Sequence, residues 1–183
     1  HHARSGVTGV QAAAHILTSY GLRTRIGVAR GRLADCYWPT TDTVVLSERV
    51  YHGGGVAALA IAAHEAGHAL QARRWYLPGR WSLALVPLAN TGVALCLWVW
   101  LLGLILESQP LLLTAAGCFG FYVLFLVFEL WCEIDASRRA VRELVAHRLI
   151  ETAEARVARR VLRAAFATYA AGFAGSMLAL GFF

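Results

Sequence analysis

Two histidines and a glutamate in the spacing His-Glu-x-x-His, namely His64, Glu65 and His68, are the residues of this sequence best suited to chemistry. In a helix, residues four apart lie on one face, about 40° from each other. Two neutral imidazoles on one face can bind a Zn²⁺ ion, and a glutamate beside them can act as a base toward water. The spacing therefore predicts one zinc ion per chain, with His64 and His68 as ligands and Glu65 as the catalytic base.

A catalytic zinc site needs a third protein ligand and leaves one position open. Glu133 is the candidate, because it follows a long apolar run and acidic residues at the end of a membrane helix are costly unless they face water, a partner or a metal. Asp135 would point to another side of the same helix, about 200° round. We expect Asp135 to support the ligands or to form an ion pair.

The composition indicates a membrane protein. Of the 183 residues, 58% are hydrophobic, with a mean hydropathy of +0.54, whereas a soluble domain is about 45–50% apolar. The apolar runs Leu83–Leu106 and Leu111–Phe128 flank the turn Glu107–Pro110 and predict a membrane hairpin, although a pair of soluble core helices is an alternative. A third run, Ala164–Phe183, is rich in alanine and glycine and predicts a C-terminal membrane helix.

The positions of the arginines predict an orientation. The chain has 17 basic and 11 acidic residues, a net charge of +6, and every basic residue is arginine. Nine arginines precede the first apolar run, eight follow the second, and the hairpin turn has none. Basic residues favour the cytoplasmic side, so the zinc motif would face the cytoplasm. We attribute the positive charge to this orientation and expect no nucleic-acid binding.

The region before the motif predicts a helix and a small sheet. Thr8 and Gln11 form a capping box for a helix that runs to about Tyr20. Alternating residues predict strands over Arg23–Arg30 and Thr43–Ser47.

A short helix over residues 47–51 and three glycines precede the motif helix, which we predict over Val56–Arg73. We interpret Val44–Ser47 as an open edge strand that pairs with the backbone of a substrate. The alternative is that these residues only cover the motif helix.

The predicted fold is mainly α-helical and multi-pass, with a β element of two or three strands before a zincin-like His-Glu-x-x-His helix. The predicted parts are a zincin-like part at 1–81, a membrane hairpin at 82–130, a helical segment with the third ligand at 131–163 and a membrane helix at 164–183.

Four cysteines, Cys36, Cys96, Cys118 and Cys132, show no metal-ligand spacing. We expect no disulfides and treat them as small apolar residues. A fourth ligand from Cys36 or Cys132 would close the zinc site and favour a structural role.

His-Glu-Ala-Gly-His-Ala-Leu-Gln at 64–71, paired with Glu-Ile-Asp-Ala-Ser-Arg-Arg-Ala at 133–140, resembles the YugP-like family of membrane-bound neutral zinc metallopeptidases. The resemblance runs nearly end to end and implies zinc-dependent peptide hydrolysis, with His64, His68 and Glu133 as ligands and Glu65 as general base. Family members carry a further membrane helix before the region where this chain begins, so we expect that such a helix is missing from this sequence through truncation or processing. Cys36 stands where the family usually has histidine, and we interpret it as a tolerated substitution.

The sequence thus predicts a gluzincin-like metalloendopeptidase of a bacterial plasma membrane that acts on peptides or membrane proteins, alone or with a partner subunit. Tyr169 is our choice as donor to the oxyanion, ahead of Tyr37, His52 or an arginine. An intramembrane protease of the site-2 type is disfavoured because the Asn-Pro-x-x-Asp-Gly motif is missing. A membrane scaffold or partner-binding subunit with a structural zinc is the alternative function.

Overall fold

The computed structural model describes residues 3–31, 34–73, 91–92 and 95–181. Its elements, in chain order, are α1 (Gly9–Ser19), β1 (Arg25–Ala29), β2 (Cys36–Trp38), β3 (Thr43–Ser47), α2 (Glu48–Tyr51), α3 (Val56–Arg73), α4 (Leu95–Ile105), α5 (Gln109–Ala146) and α6 (Ala155–Gly181). The predicted mainly α-helical class with a small sheet is confirmed.

The chain folds as two compact units. One combines His1–Trp75 with Glu133–Phe183, and the other is Tyr76–Cys132. All the residues proposed from the sequence as zinc ligands therefore belong to the first unit. The finer division of the chain at 81, 130 and 163 stays a prediction.

The first unit begins with the predicted capped helix. At its start, the Thr8 amide donates to Gln11 Oε1 at 2.9 Å, which satisfies a backbone donor that the helix itself leaves free. At its end, Gly21 adopts a φ of +70°, a left-handed conformation that costs glycine little. The two predicted strands and the short helix α2 are also present.

The sheet has three strands in the order β1-β3-β2. β1 pairs with β3 in parallel, with Arg25 opposite Thr43, and β2 pairs with β3 in antiparallel fashion, with Cys36 opposite Val45. β3 is therefore the central strand. The prediction that Val44–Ser47 is an open edge was wrong, because both of its sides already carry sheet hydrogen bonds.

α3 is the central helix of this unit and packs against α1, α2, α6 and the strands β2 and β3. Its alanines 60, 62, 63, 66 and 69 are all buried, as are Leu59 and Leu70. Small residues on several faces allow neighbouring elements to approach closely from several sides. The core around α3 also contains Ile16, Val44 and Leu144.

Gly67 allows α5 to approach α3 between the two motif histidines. A Cβ atom on Gly67 would lie 3.2 Å from the carbonyl oxygen of Ala136, closer than side chains normally pack. Ala136 itself is fully buried. Since Glu133 lies about one turn before Ala136 on α5, this contact brings its carboxylate toward the histidines.

The second unit is strongly apolar. Among the described residues, α5 is the helix that is long and apolar enough to cross a membrane, by its length and composition alone. It contains the predicted run Leu111–Phe128, and it exposes large apolar side chains such as Leu124 (68% exposed). α4 is apolar but shorter.

The other two predicted membrane segments are described only in part. Of the run Leu83–Leu106, residues 83–90 and 93–94 lie outside the described residues, and its last part forms α4. Ala164–Phe183 forms the second part of α6 as far as Gly181, where most side chains lie outside the described part.

Candidate metal centre

Three side chains from two helices converge in the first unit. His64 Nε2 lies 3.1 Å from His68 Nε2 and 3.2 Å from Glu133 Oε2, and His68 Nε2 lies 3.4 Å from Glu133 Oε1. Ligand atoms bound tetrahedrally to zinc at 2.0–2.1 Å are separated by about 3.3 Å. The spacing of the three groups therefore fits one zinc ion.

The donor types and exposure of the cluster also fit a zinc site. Two imidazoles and one carboxylate form the donor set of many catalytic zinc sites. The side chains of His64, His68 and Glu133 are 14%, 23% and 20% exposed, so they are sheltered without being sealed. Among the described residues, these three are the histidine, cysteine and acidic side chains that come close enough together to hold a metal ion.

Glu65 is buried beside this cluster. Burial raises the pKa of its carboxyl group, and the charge of Glu133 raises it further, whereas His68 and His64 oppose the shift. A carboxylate with a raised pKa is a stronger base than an ordinary surface glutamate. The electrostatics of the site thus make Glu65 a better proton acceptor than an exposed glutamate.

In His68, hydrogen bonding and nearby charge outweigh the effect of burial on the pKa. Burial alone would lower the pKa of its imidazole, but a hydrogen bond with Glu133 and the charges of Glu65 and Glu133 raise it to about 9. In the metal-free protein His68 is therefore protonated at neutral pH and pairs with Glu133. A metal ion must displace this proton in order to bind.

A chain of hydrogen bonds that reaches Nδ1 orients the imidazole ring of His68. Gln71 Nε2 donates to Asp135 Oδ2 at 2.9 Å, and Arg139 Nε donates to the same oxygen at 2.6 Å. Because the amide nitrogen of Gln71 faces a carboxylate, its oxygen faces His68 Nδ1, at 3.1 Å. Nδ1 then carries a hydrogen, and Nε2 can present its lone pair to a metal.

Asp135 reaches His68 through Gln71 and forms an ion pair with Arg139, and its supporting role stays a prediction. Two further supporting residues were missed. Gln71 contacts His68, and Ser137 Oγ lies 3.3 Å from His64 Nδ1. The spacing of Gln71, three residues after His68 on one helix, could have identified it.

Cys36 lies on β2, and its thiol contacts the carbonyl oxygen of Ala34 at 3.6 Å. Burial raises the pKa of this thiol, and the charge of Glu65 raises it further, so it stays protonated at neutral pH. Zinc binds the thiolate form. Neither Cys36 nor Cys132 joins the metal-binding cluster in the described part of the chain.

Two of the candidate oxyanion donors contact other side chains. The Tyr37 hydroxyl donates to Asp42 Oδ1 at 3.1 Å, and the ring of His52 stacks edge-on against Tyr51. Tyr169 belongs to α6, but its side chain lies outside the described part. Its role stays a prediction.

Comparisons with known proteins identify the family. Residues 1–183 match the family described as "Putative neutral zinc metallopeptidase". One relative is the "Putative membrane protease YugP" of Bacillus subtilis (strain 168), which is 35% identical over 179 residues that cover 97% of this chain and 80% of the relative. No solved structure matches the chain.

The chain therefore belongs to this family of zinc metallopeptidases, and the resemblance seen in the two motifs is confirmed. Membership implies zinc as the cofactor, and the cluster of His64, His68 and Glu133 offers a place for it.

The protonation of His68 predicts a pH dependence of zinc binding. Because its pKa is about 9 without metal, zinc affinity should rise about tenfold per pH unit between pH 6.5 and 8.5, as less proton has to be displaced. Isothermal titration in buffers of different ionisation enthalpy should show about one proton released per zinc at pH 7. The His52→Gln control should keep this slope, and a flat profile would contradict the assignment.

Gln71 should support the affinity for zinc. Gln71→Met keeps the size of the side chain but removes the acceptor for His68 Nδ1, so zinc affinity should fall about 10–100-fold, as is typical when such a partner is lost. Competition with a chromogenic chelator measures the change. The same substitution at Gln109, an exposed residue at the start of α5, should have no effect. Equal affinities of the two variants would exclude this role.

Proposed function

We propose that the protein is a membrane-associated zinc endopeptidase in which His64, His68 and Glu133 bind the metal and Glu65 is the general base. The observation that carries this proposal is the convergence of the three ligand atoms within 4.8 Å. Beside them lies the buried Glu65, whose pKa is raised. Family membership supports the zinc chemistry, and the position of Glu65 within the ligand motif supports hydrolysis.

The residues divide the work of peptide hydrolysis. Bound zinc would supply Lewis-acid chemistry, which acidifies water and polarises the scissile carbonyl group. Glu65 takes the proton of the attacking water on its carboxylate and then donates it to the leaving amide nitrogen. The raised pKa of Glu65 favours the first step, because it makes the carboxylate a stronger base toward the attacking water.

β2 replaces β3 as the strand that could pair with an extended substrate. Within the described chain β2 pairs only with β3, so its other side is an edge. The edge lies near the site, since the charge of Glu65 acts on Cys36 in β2. A peptide backbone added to this edge would run past the metal centre, as in other complexes formed by strand addition.

The apolar helix α5 supports a membrane setting. Its exposed apolar side chains would face lipid, and it carries Glu133 after the apolar part. We propose that the chain crosses the membrane more than once, with the metal centre on the cytoplasmic side, and that its substrates are peptides or membrane proteins. A partner subunit that delivers substrate belongs to the same proposal.

Glu65→Gln tests the proposed base. Glutamine cannot accept the proton, so peptide cleavage should fall about 10²–10⁴-fold, while zinc binding persists because the three ligands are intact. Purified protein is assayed on a peptide library by mass spectrometry, with zinc content measured in parallel. Glu48→Gln, an exposed residue outside the site, serves as the matched control.

Two outcomes would contradict the proposal. Cleavage at the wild-type rate by Glu65→Gln would exclude Glu65 as the base. Stoichiometric zinc without chelator-sensitive cleavage of any peptide would favour the alternative of a scaffold with a structural zinc.

A further inference from the structure

A groove of about 790 Å³ lies between α5 and α6 in the first unit. Its walls include the apolar side chains of Ile134, Val141, Leu162 and Phe166. Four arginines also line it: Arg138, Arg142, Arg159 and Arg163. None of the described residues that line the groove is acidic. The groove thus combines an apolar lining with a cluster of positive charges. The proposed peptidase chemistry uses neither the apolar lining nor the charges.

Three of the four arginines lack a counter-ion in the described part of the protein. Arg142 pairs with Glu143 at 3.3 Å. No described carboxylate pairs with Arg138, Arg159 or Arg163, and their side chains are exposed. Like charges held together without partners repel one another, so an anion bound among them would be stabilised. The groove is therefore suited to a negatively charged ligand.

The four arginines line the half of the groove that is nearer the turn between α5 and α6, together with the uncharged residues Val145, Ala146, Thr152 and Ala155. α5 and α6 meet at the turn formed by residues 147–154. Arg142 and Arg159 lie about one helical turn from that connection, on α5 and α6 respectively. Arg138 and Arg163 lie about two turns from it. Two levels of guanidinium groups thus surround the part of the groove that is nearer the turn.

The other end of the groove is apolar. Ile134 on α5 and Phe166 on α6 lie about three turns from the connection. Along the chain, Ile134 follows Trp131, an aromatic residue that is 66% exposed. Along α6, Phe166 opens the alanine- and glycine-rich run that ends the chain. The groove therefore extends from the arginines toward the parts of α5 and α6 that adjoin apolar sequence.

We propose that this groove binds an anionic phospholipid, with its phosphate among the four arginines and the start of an acyl chain against the apolar residues. Arginine suits a phosphate because its planar guanidinium can donate two parallel hydrogen bonds to two oxygens. This argument rests on the proposed membrane setting, since basic pockets at the cytoplasmic side of membrane helices bind such headgroups. A ligand with one charged and one apolar end matches the groove better than a uniformly polar anion or an acidic peptide.

The groove is separate from the metal ligands, although Ser137 lines it and also contacts His64 Nδ1 at 3.3 Å. A test of lipid binding must therefore leave Ser137 unchanged. The arginines allow this, because none of them belongs to the metal centre. The proposal does not depend on peptidase activity and is measured without a substrate.

Native mass spectrometry of the full chain in detergent tests the proposal with two lipids. Dioleoyl phosphatidylglycerol should bind as a single retained molecule, and dioleoyl phosphatidylcholine should bind much more weakly. The double variant Arg159→Gln/Arg163→Gln should bind phosphatidylglycerol about thirtyfold more weakly, since two cationic contacts are lost. Arg159→Lys/Arg163→Lys should bind phosphatidylglycerol more tightly than the glutamine variant and more weakly than the wild type, because lysine keeps the charge but loses the paired hydrogen bonds.

Arg156→Gln/Arg160→Gln is the matched control. These arginines lie on the same helix and carry the same charge, but they do not line the groove. The control should bind phosphatidylglycerol as the wild type does, and circular dichroism should show unchanged helicity in all variants.

Four outcomes would overturn the proposal. The first is equal binding of the two lipids, and the second is an equal loss of binding in the control pair, which would indicate a general attraction of charge. The third is displacement of the lipid by glycerol phosphate at equal concentration, which would indicate a site for free phosphate. The fourth is displacement by an acidic peptide, which would indicate a peptide site.

Discussion

The close approach of α3 and α5 is the constraint on which the candidate site depends. Two of the proposed ligands lie on α3 and the third lies on α5, far along the chain, yet their donor atoms lie within 4.8 Å of one another. Gly67 lies between the two histidines and leaves room for the backbone of Ala136. A larger side chain there would push α5 outward and move Glu133 with it. The small residue within the motif is thus as necessary to the geometry as the ligands are.

The same convergence concentrates charge in a sheltered place. Without metal, the carboxylate oxygens of Glu133 pair with Nε2 of His64 and of His68 at 3.2 and 3.4 Å. This pairing sets a cost for metal entry, because a proton must leave His68. The chain from His68 through Gln71 to Asp135 and Arg139 then fixes the orientation of the ring. The orientation of the His68 ring is therefore set by residues outside the cluster, and its protonation is set mainly by Glu133 within it.

Local sequence patterns predicted much of the fold and of the candidate site. The capping box, the glycine after Tyr20, the alternation in two strands and the alanine-rich motif helix each specify their elements within short stretches, and the structure has all of them. The sequence also singled out His64, His68 and Glu133 by their chemistry, and the structure brings these three side chains together. These signals depend on residues that are neighbours along the chain, or on residue types that serve few other purposes.

The features that the sequence did not reveal depend on tertiary structure. The strand Cys36–Trp38 is too short to show a period, so its pairing with β3 could not be anticipated and β3 was mistaken for an edge. The contact of Ser137 with His64 depends on how α5 packs on α3. The groove of arginines depends likewise on the position of α6 beside α5. Long-range packing sets each of these, and a linear pattern carries no record of it.

X-ray absorption at the zinc edge tests the central claim most directly. Zinc-loaded protein should show two imidazoles and oxygen ligands at about 2.0–2.1 Å, with no sulfur. Replacing Glu133 with glutamine should reduce the oxygen contribution and leave both imidazoles. A sulfur ligand at about 2.3 Å, or four protein ligands that leave no position for water, would contradict the account and indicate a structural zinc site.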